Sequence, residues 1–92
     1  MVECGVKIVN RLGLHARAAA KLVRAATNFR SALRLVRADR SASADAKSIL
    51  SVLMLAASLG TELTVTAEGE DEREALDALC SLIAGGFGEG EE

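Results

Sequence analysis

The chain has 92 residues and a formal net charge of −2, a length that suits one domain and excludes a catalytic core joined to a separate binding domain. Hydrophobic residues make up 50%, enough for a packed core, and two Phe with no Trp or Tyr argue against aromatic stacking on nucleic-acid bases. Residues 1–46 hold nine Lys or Arg against three acids and residues 47–92 hold two against ten, a split that points to a charged partner on one face.

Val2, Cys4, Val6 and Ile8 recur at period two, so residues 2–9 read as a strand. Asn10–Leu14 read as a loop containing Gly13. The spacing of Ala19, Leu22, Val23, Ala26 and Phe29 predicts a helix over Ala16–Phe29, with Arg17, Lys21 and Arg24 on another face. Residues 32–38 return to alternation, and a turn near Asp39 and Arg40 leads to a short polar strand around Ser41–Asp45. Ser48 opens a second helix that runs to Ser58 and is stopped by Gly60. Glu62–Glu68 alternates as a half-buried strand.

Asp71–Ala84 reads as a third helix with Leu76, Leu79 and Ile83 inward and Asp71, Glu72 and Glu74 complementing the dipole in its first turn. Gly85 and Gly86 end it, and the closing GFGEGEE reads as a mobile tail. The order β-α-β-β-α-β-α predicts an α+β fold, a four-stranded antiparallel sheet covered on one face by three helices. Residues 1–88 are expected to form a single domain, with 89–92 a flexible acidic tail.

The longest largely apolar run, Ile49–Ala57, falls short of the about 20 residues of a membrane span. The start, MVECGVKIVN, lacks the features of a signal peptide. Cys4 and Cys80 are too few and too isolated for a metal site or a disulfide framework and read as buried reduced thiols. A cytoplasmic location is expected, with no metal, no cofactor and no membrane insertion.

The single histidine, His15, stands in Gly13-Leu14-His15-Ala16-Arg17, where a loop becomes a helix. By default such a residue is a cap or a surface side chain. The position has chemical consequences, however. The first N–H groups of a helix lack internal partners and bind anions. The positive end of the dipole disfavours an imidazolium, so a neutral, nucleophilic ring is expected. A phosphoryl group on a ring nitrogen would meet the N–H groups of Ala16 and Arg17 and the Arg17 guanidinium, in the field of Lys21 and Arg24.

In the second helix Ile49, Leu50, Val52, Leu53, Met54 and Leu55 cover almost the whole circumference. A helix lying on a sheet buries only a stripe, so either some of these face a partner or the helix is enclosed in a crowded core. Ser48 is a default cap, and a phosphate there would add about −2 charge, which could repel an acidic partner. The chain has no Ser-His-Asp set, no Gly-rich nucleotide loop and no metal cluster. A lone activated histidine suits carrying a group better than transforming a small molecule.

Gly13-Leu14-His15-Ala16-Arg17 with Ala19-Ala20 resembles the active-centre motif of the HPr family, the histidine-containing phosphocarriers of the bacterial phosphotransferase system. Ala46–Leu55 is similar to the family's regulatory-serine helix, and Gly60–Leu63, Ala67–Glu72 and Gly86–Glu89 also match in order. The resemblance implies an open-faced β-sandwich with sheet order 1-4-2-3. It implies that enzyme I, charged by phosphoenolpyruvate, phosphorylates His15, that Arg17 stabilises the phosphate, and that an enzyme IIA component accepts it.

Ser48 matches the serine modified by HPr kinase. The implied partner surface joins Ala20, Lys21, Arg24 and Thr27 to Lys47, Ile49 and Leu53, on a chain acting as a monomer and not as an autonomous enzyme. A second reading on the same fold is a regulatory binding module controlled through Ser48. Two departures stand out: Ala18 replaces the family's usual proline, and the hairpin of the 30s–40s is about two residues longer than usual. The tail after Glu89 is assigned no role.

Overall fold

The structure, a computed structural model, describes residues 1–89. Alternation in strand β1 (Val2–Lys7) leaves Glu3, Gly5 and Lys7 in solvent and packs Val2, Cys4 and Val6 against the core. The elements that follow are α1 (Ala16–Ala26), β2 (Ala32–Arg37), β3 (Ser43–Asp45), α2 (Ile49–Met54), β4 (Glu62–Glu68) and α3 (Glu72–Ala84), then a tight 3-10 turn at Gly86–Gly88. The strands form one antiparallel sheet in the order β1-β4-β2-β3.

Strand β4 lies inside the sheet, and its Val65 pairs with Cys4 on one side and Leu35 on the other. Leu33, Leu35, Leu63, Val65 and Ala67 turn inward with a period of two. Helix α3 packs on β1 and β4, and α1 packs against α2 and α3. Their buried residues, Ala18, Ala19, Leu22 and Ala26 in α1, Val52 in α2, and Ala75, Leu76, Leu79 and Ile83 in α3, join the sheet's inner face in a single core. The other face carries Glu3, Lys7 and Arg34 and stays open. This is the α+β open-faced sandwich.

Two helices are shorter than their spacing predicts, each because a distant side chain takes over. Helix α1 ends at Ala26 rather than Phe29. Three bonds to Asp71 hold the chain beyond it: Arg30 N at 2.9 Å, Ser31 N at 3.0 Å and Ser31 Oγ at 2.6 Å. Asp71 thus anchors the entry to β2 instead of capping α3, and these bonds, that from the Ser31 hydroxyl first, lower its pKa to about 2. Helix α2 stops at Met54 rather than Ser58. Ala56 there takes a positive φ of 55°, and Arg37 Nη1 donates to the Leu55 carbonyl at 3.1 Å and the Ala56 carbonyl at 3.4 Å. The turn buries Leu55 and Ala57.

The segment read as a mobile tail is partly built into the fold. Phe87, at φ 60°, is 1% exposed and belongs to the core. The remainder of that tail, residues 90–92, lies outside the described residues. The cysteines are not isolated from each other either. Both are free and half-buried, and Cys4 on β1 neighbours Cys80 on α3. Burial, and then contact with the Cys4 thiol, push Cys80 up to about 12. Among the described residues no helix is long and apolar enough to cross a membrane. Nor does any group of three or more His, Cys, Asp and Glu side chains form a possible metal site among them.

Candidate functional site

The loop before α1 is held tightly. Gly13 has a φ of +66°, and a Cβ on it would lie 2.6 Å from the Ala57 carbonyl oxygen, so only glycine fits without displacing backbone. Leu14 N donates to that same carbonyl at 2.9 Å. The early turn after α2 therefore fixes where His15 begins the first helix.

His15 is the N-cap of α1, with extended backbone (φ −75°, ψ 177°) and a side chain that makes no cap bond. Its carbonyl accepts the first helical bond, from Ala19 N at 2.8 Å. The N–H groups of Ala16, Arg17 and Ala18 precede that bond and have no partner four residues back. The ring is free to face a cleft lined by Leu12, His15, Ala16, Arg17, Lys21, Gly88 and Glu89. Arg17 and Arg24 are exposed and make no ion pair among the described residues.

Glu89 completes the cleft from the far end of the chain. Its carboxylate meets His15 Nε2 at 2.5 Å through one oxygen and accepts from Asn10 Nδ2 at 3.1 Å through the other. The His15 contact first, and Asn10 with it, hold the Glu89 carboxyl below its usual range against the opposing effect of burial. Asn10 is 3% exposed and also donates to the Gly13 carbonyl at 2.8 Å, which braces the loop from beneath. Lys21 Nζ donates to the Phe87 carbonyl at 2.8 Å.

Of the residues singled out in the sequence, His15, Ala16, Arg17 and Lys21 share this cleft. Ala20 is half-buried on α1, and Arg24 and Thr27 are exposed near its end. Lys47 Nζ donates to the Phe29 carbonyl at 2.8 Å and so bridges the start of α2 to the segment after α1. Ser48 caps α2 by accepting from Ser51 N at 3.2 Å. Ile49, Leu50, Leu53 and Met54 are 46%, 68%, 36% and 74% exposed, so α2 is not enclosed and most of its apolar surface faces outward.

Asn10 and Glu89 were missed. Asn10 looks like an ordinary loop residue, and Glu89 like one acid of an acidic tail. The signals for Glu89 were Phe87, an aromatic side chain set between glycines two residues earlier, and the match of Gly86–Glu89 to the family.

Residues 2–85 match the family model of the PTS HPr component phosphorylation site. The chain belongs to the HPr family. It is 52% identical over 91 residues to the phosphocarrier protein HPr of Cupriavidus necator, covering 99% of this chain and 100% of that one. It is 51% identical over 86 residues to the HPr of Pseudomonas aeruginosa, covering 94% of each. Among solved structures it is similar to HPr-C-His from Thermoanaerobacter tengcongensis, with a TM-score of 0.89 at 40% identity over 97% of this chain and 98% of that one. Family membership places the chain among the phosphocarriers of the phosphotransferase system and among partners of the enzyme I and enzyme IIA kind.

Proposed function

We propose that His15 is the residue that carries the phosphoryl group, received from phosphorylated enzyme I and passed to an enzyme IIA component. The observation that carries this reading is the pose of the ring. It stands at a helix N-terminus, spends nothing on capping, and faces a cleft beside an arginine with no ion pair among the described residues. A phosphoryl group bound there meets the N–H groups of Ala16 and Arg17 and the Arg17 guanidinium, donors set in place before the charge arrives.

Docking is assigned to the outward apolar face of α2, with Ile49 and Leu53, together with Ala20, Lys21, Arg24, Thr27 and Lys47. An apolar patch beside basic residues fits an acidic, partly apolar partner surface. The test is transfer: charged by enzyme I and phosphoenolpyruvate, the chain should pass its phosphoryl group to at least one of a panel of enzyme IIA proteins. Charging without onward transfer to any of them would leave the carrier role unsupported.

A second reading is favoured by the position of Ser48. It is half-buried, caps α2 and borders the apolar patch. Phosphorylation there by an HPr kinase would place about two negative charges beside Ile49. That would weaken docking of acidic partners and create a surface for a regulator. Ser48→Ala should abolish regulator binding after kinase treatment and leave His15 chargeable.

A further inference from the structure

The two cysteines meet where the first strand lies under the last helix. Strand β1 ends the sheet, paired with β4, and turns Val2, Cys4 and Val6 toward the core. Helix α3 packs on this strand. Cys80 follows Leu76 by four positions and precedes Ile83 by three, so it shares the inward face of α3 with those buried residues. Both cysteines are free, half-buried and packed against the core.

The Cys80 thiol lies beside the Cys4 thiol, and burial first, then that neighbour, push Cys80 up to about 12. Cys80 therefore keeps its proton near neutral pH. Cys4 Sγ spends its proton on a weak bond to the Gly5 carbonyl oxygen at 3.5 Å. Bringing two adjacent sulfurs to bonding distance takes small side-chain rotations, while strand and helix keep their places. A link between positions 4 and 80 closes most of the chain into one loop, the arrangement that restricts an unfolded chain most.

We propose that Cys4 and Cys80 form a site of reversible oxidation, at which a hydroperoxide such as hydrogen peroxide converts the two thiols to a disulfide that locks β1 to α3. Cys4, on the edge strand, reacts first as its thiolate. Its sulfur forms a bond to one peroxide oxygen, the O–O bond breaks, and the departing hydroxide takes up the Cys4 proton as water. Cys4 is then a sulfenic acid. The Cys80 sulfur attacks the Cys4 sulfur, the S–O bond breaks, and the second hydroxide leaves as water with the Cys80 proton. The two thiols together lose two electrons and two protons, and one peroxide becomes two waters. A dithiol reverses the change by exchange, becoming a disulfide itself while both cysteines regain their protons. Neither cysteine lines the His15 cleft, so this oxidation stands apart from phosphoryl transfer.

The test treats the reduced full chain, dilute and folded, with hydrogen peroxide. Intact mass should show the loss of two hydrogens, and a digest without reductant should yield the Cys4 and Cys80 peptides joined. The melting temperature should rise by about 10 °C or more, and dithiothreitol should restore the starting mass and melting temperature. Cys4→Ser and Cys80→Ala variants, shown by circular dichroism to be folded, should show neither the joined peptides nor the rise.

Oxygen added to either sulfur without joined peptides overturns the proposal. So do two unreacted thiols, or disulfides that form only between chains. Joined peptides without a rise in melting temperature overturn the claim that the bond forms within the native packing of β1 and α3.

Discussion

Lys21 Nζ donates to the Phe87 carbonyl oxygen at 2.8 Å, a bond that ties the second turn of α1 to the turn after α3. The ammonium is therefore part of the scaffold that brings the chain's end to the cleft, as well as a source of positive field. Phe87 supplies the larger share of that attachment. Phe87→Ala should lower stability by about 3–5 kcal/mol, the usual cost of emptying a buried aromatic site. Lys21→Met removes one hydrogen bond and should cost about 0.5–1.5 kcal/mol. Urea unfolding of both variants checks the ranking.

Ala18 occupies the third helical position of α1 and is fully buried. Its N–H precedes the first helical bond, from Ala19 N to the His15 carbonyl, so a proline there removes no helix hydrogen bond. Ala18→Pro should raise stability by about 0.4–1 kcal/mol through the unfolded chain and should leave phosphoryl uptake intact. Chemical unfolding and a charging assay measure the two effects separately.

Asp71 links acid stability to the entry of β2. Its carboxyl is lowered from 3.8 to about 2 by the Ser31 and Arg30 bonds. A depressed carboxyl contributes stability that is fully present above its unfolded value and is lost as pH falls through the folded value. Stability should therefore decline as pH drops from about 4 toward 2. Asp71→Asn should be less stable at neutral pH and should show a flatter dependence across that window. Urea midpoints measured at several pH values give both slopes, and equal slopes would count against the Asp71 anchor.

Ile49 projects from a helix whose inner side is already filled by Val52. Ile49→Asp should change folding stability by no more than about 0.5 kcal/mol. It should weaken binding to enzyme I by about tenfold, by placing a charge in the apolar part of the proposed docking surface. Thermal melts and calorimetric titration distinguish a docking defect from a folding one.

The strands and the inner faces of the helices were legible because their periods are local. Leu33 with Leu35, and Leu63, Val65 and Ala67, mark their strands at period two. Leu76, Leu79 and Ile83 mark α3 at helical spacing. The helix ends were not legible, because long-range partners set them. Phe29 keeps the spacing of α1, yet Asp71, 40 positions from Ser31, bonds the chain beyond it. Leu55 keeps the spacing of α2, yet Arg37 from β2 takes the carbonyls where the helix stops.

The same holds at the site. His15 and Arg17, which line one cleft, could be singled out together because both stand within one short motif at a helix start. Glu89 reaches the ring across 74 positions, and the match of Gly86–Glu89 to the family set it apart from the acids after it without pointing to His15. Its position became visible only once the buried Phe87 had turned the chain back toward α1.

The most direct measurement is the covalent state of His15. The chain is incubated with phosphoenolpyruvate and a catalytic amount of enzyme I, and the product is followed by intact mass and by its lability in acid. One acid-labile phosphoryl group per wild-type chain, and none on a folded His15→Ala variant, is the expected result. An unmodified wild-type chain, or a His15→Ala variant labelled to the same extent, would contradict the assignment of His15 as the carrier residue.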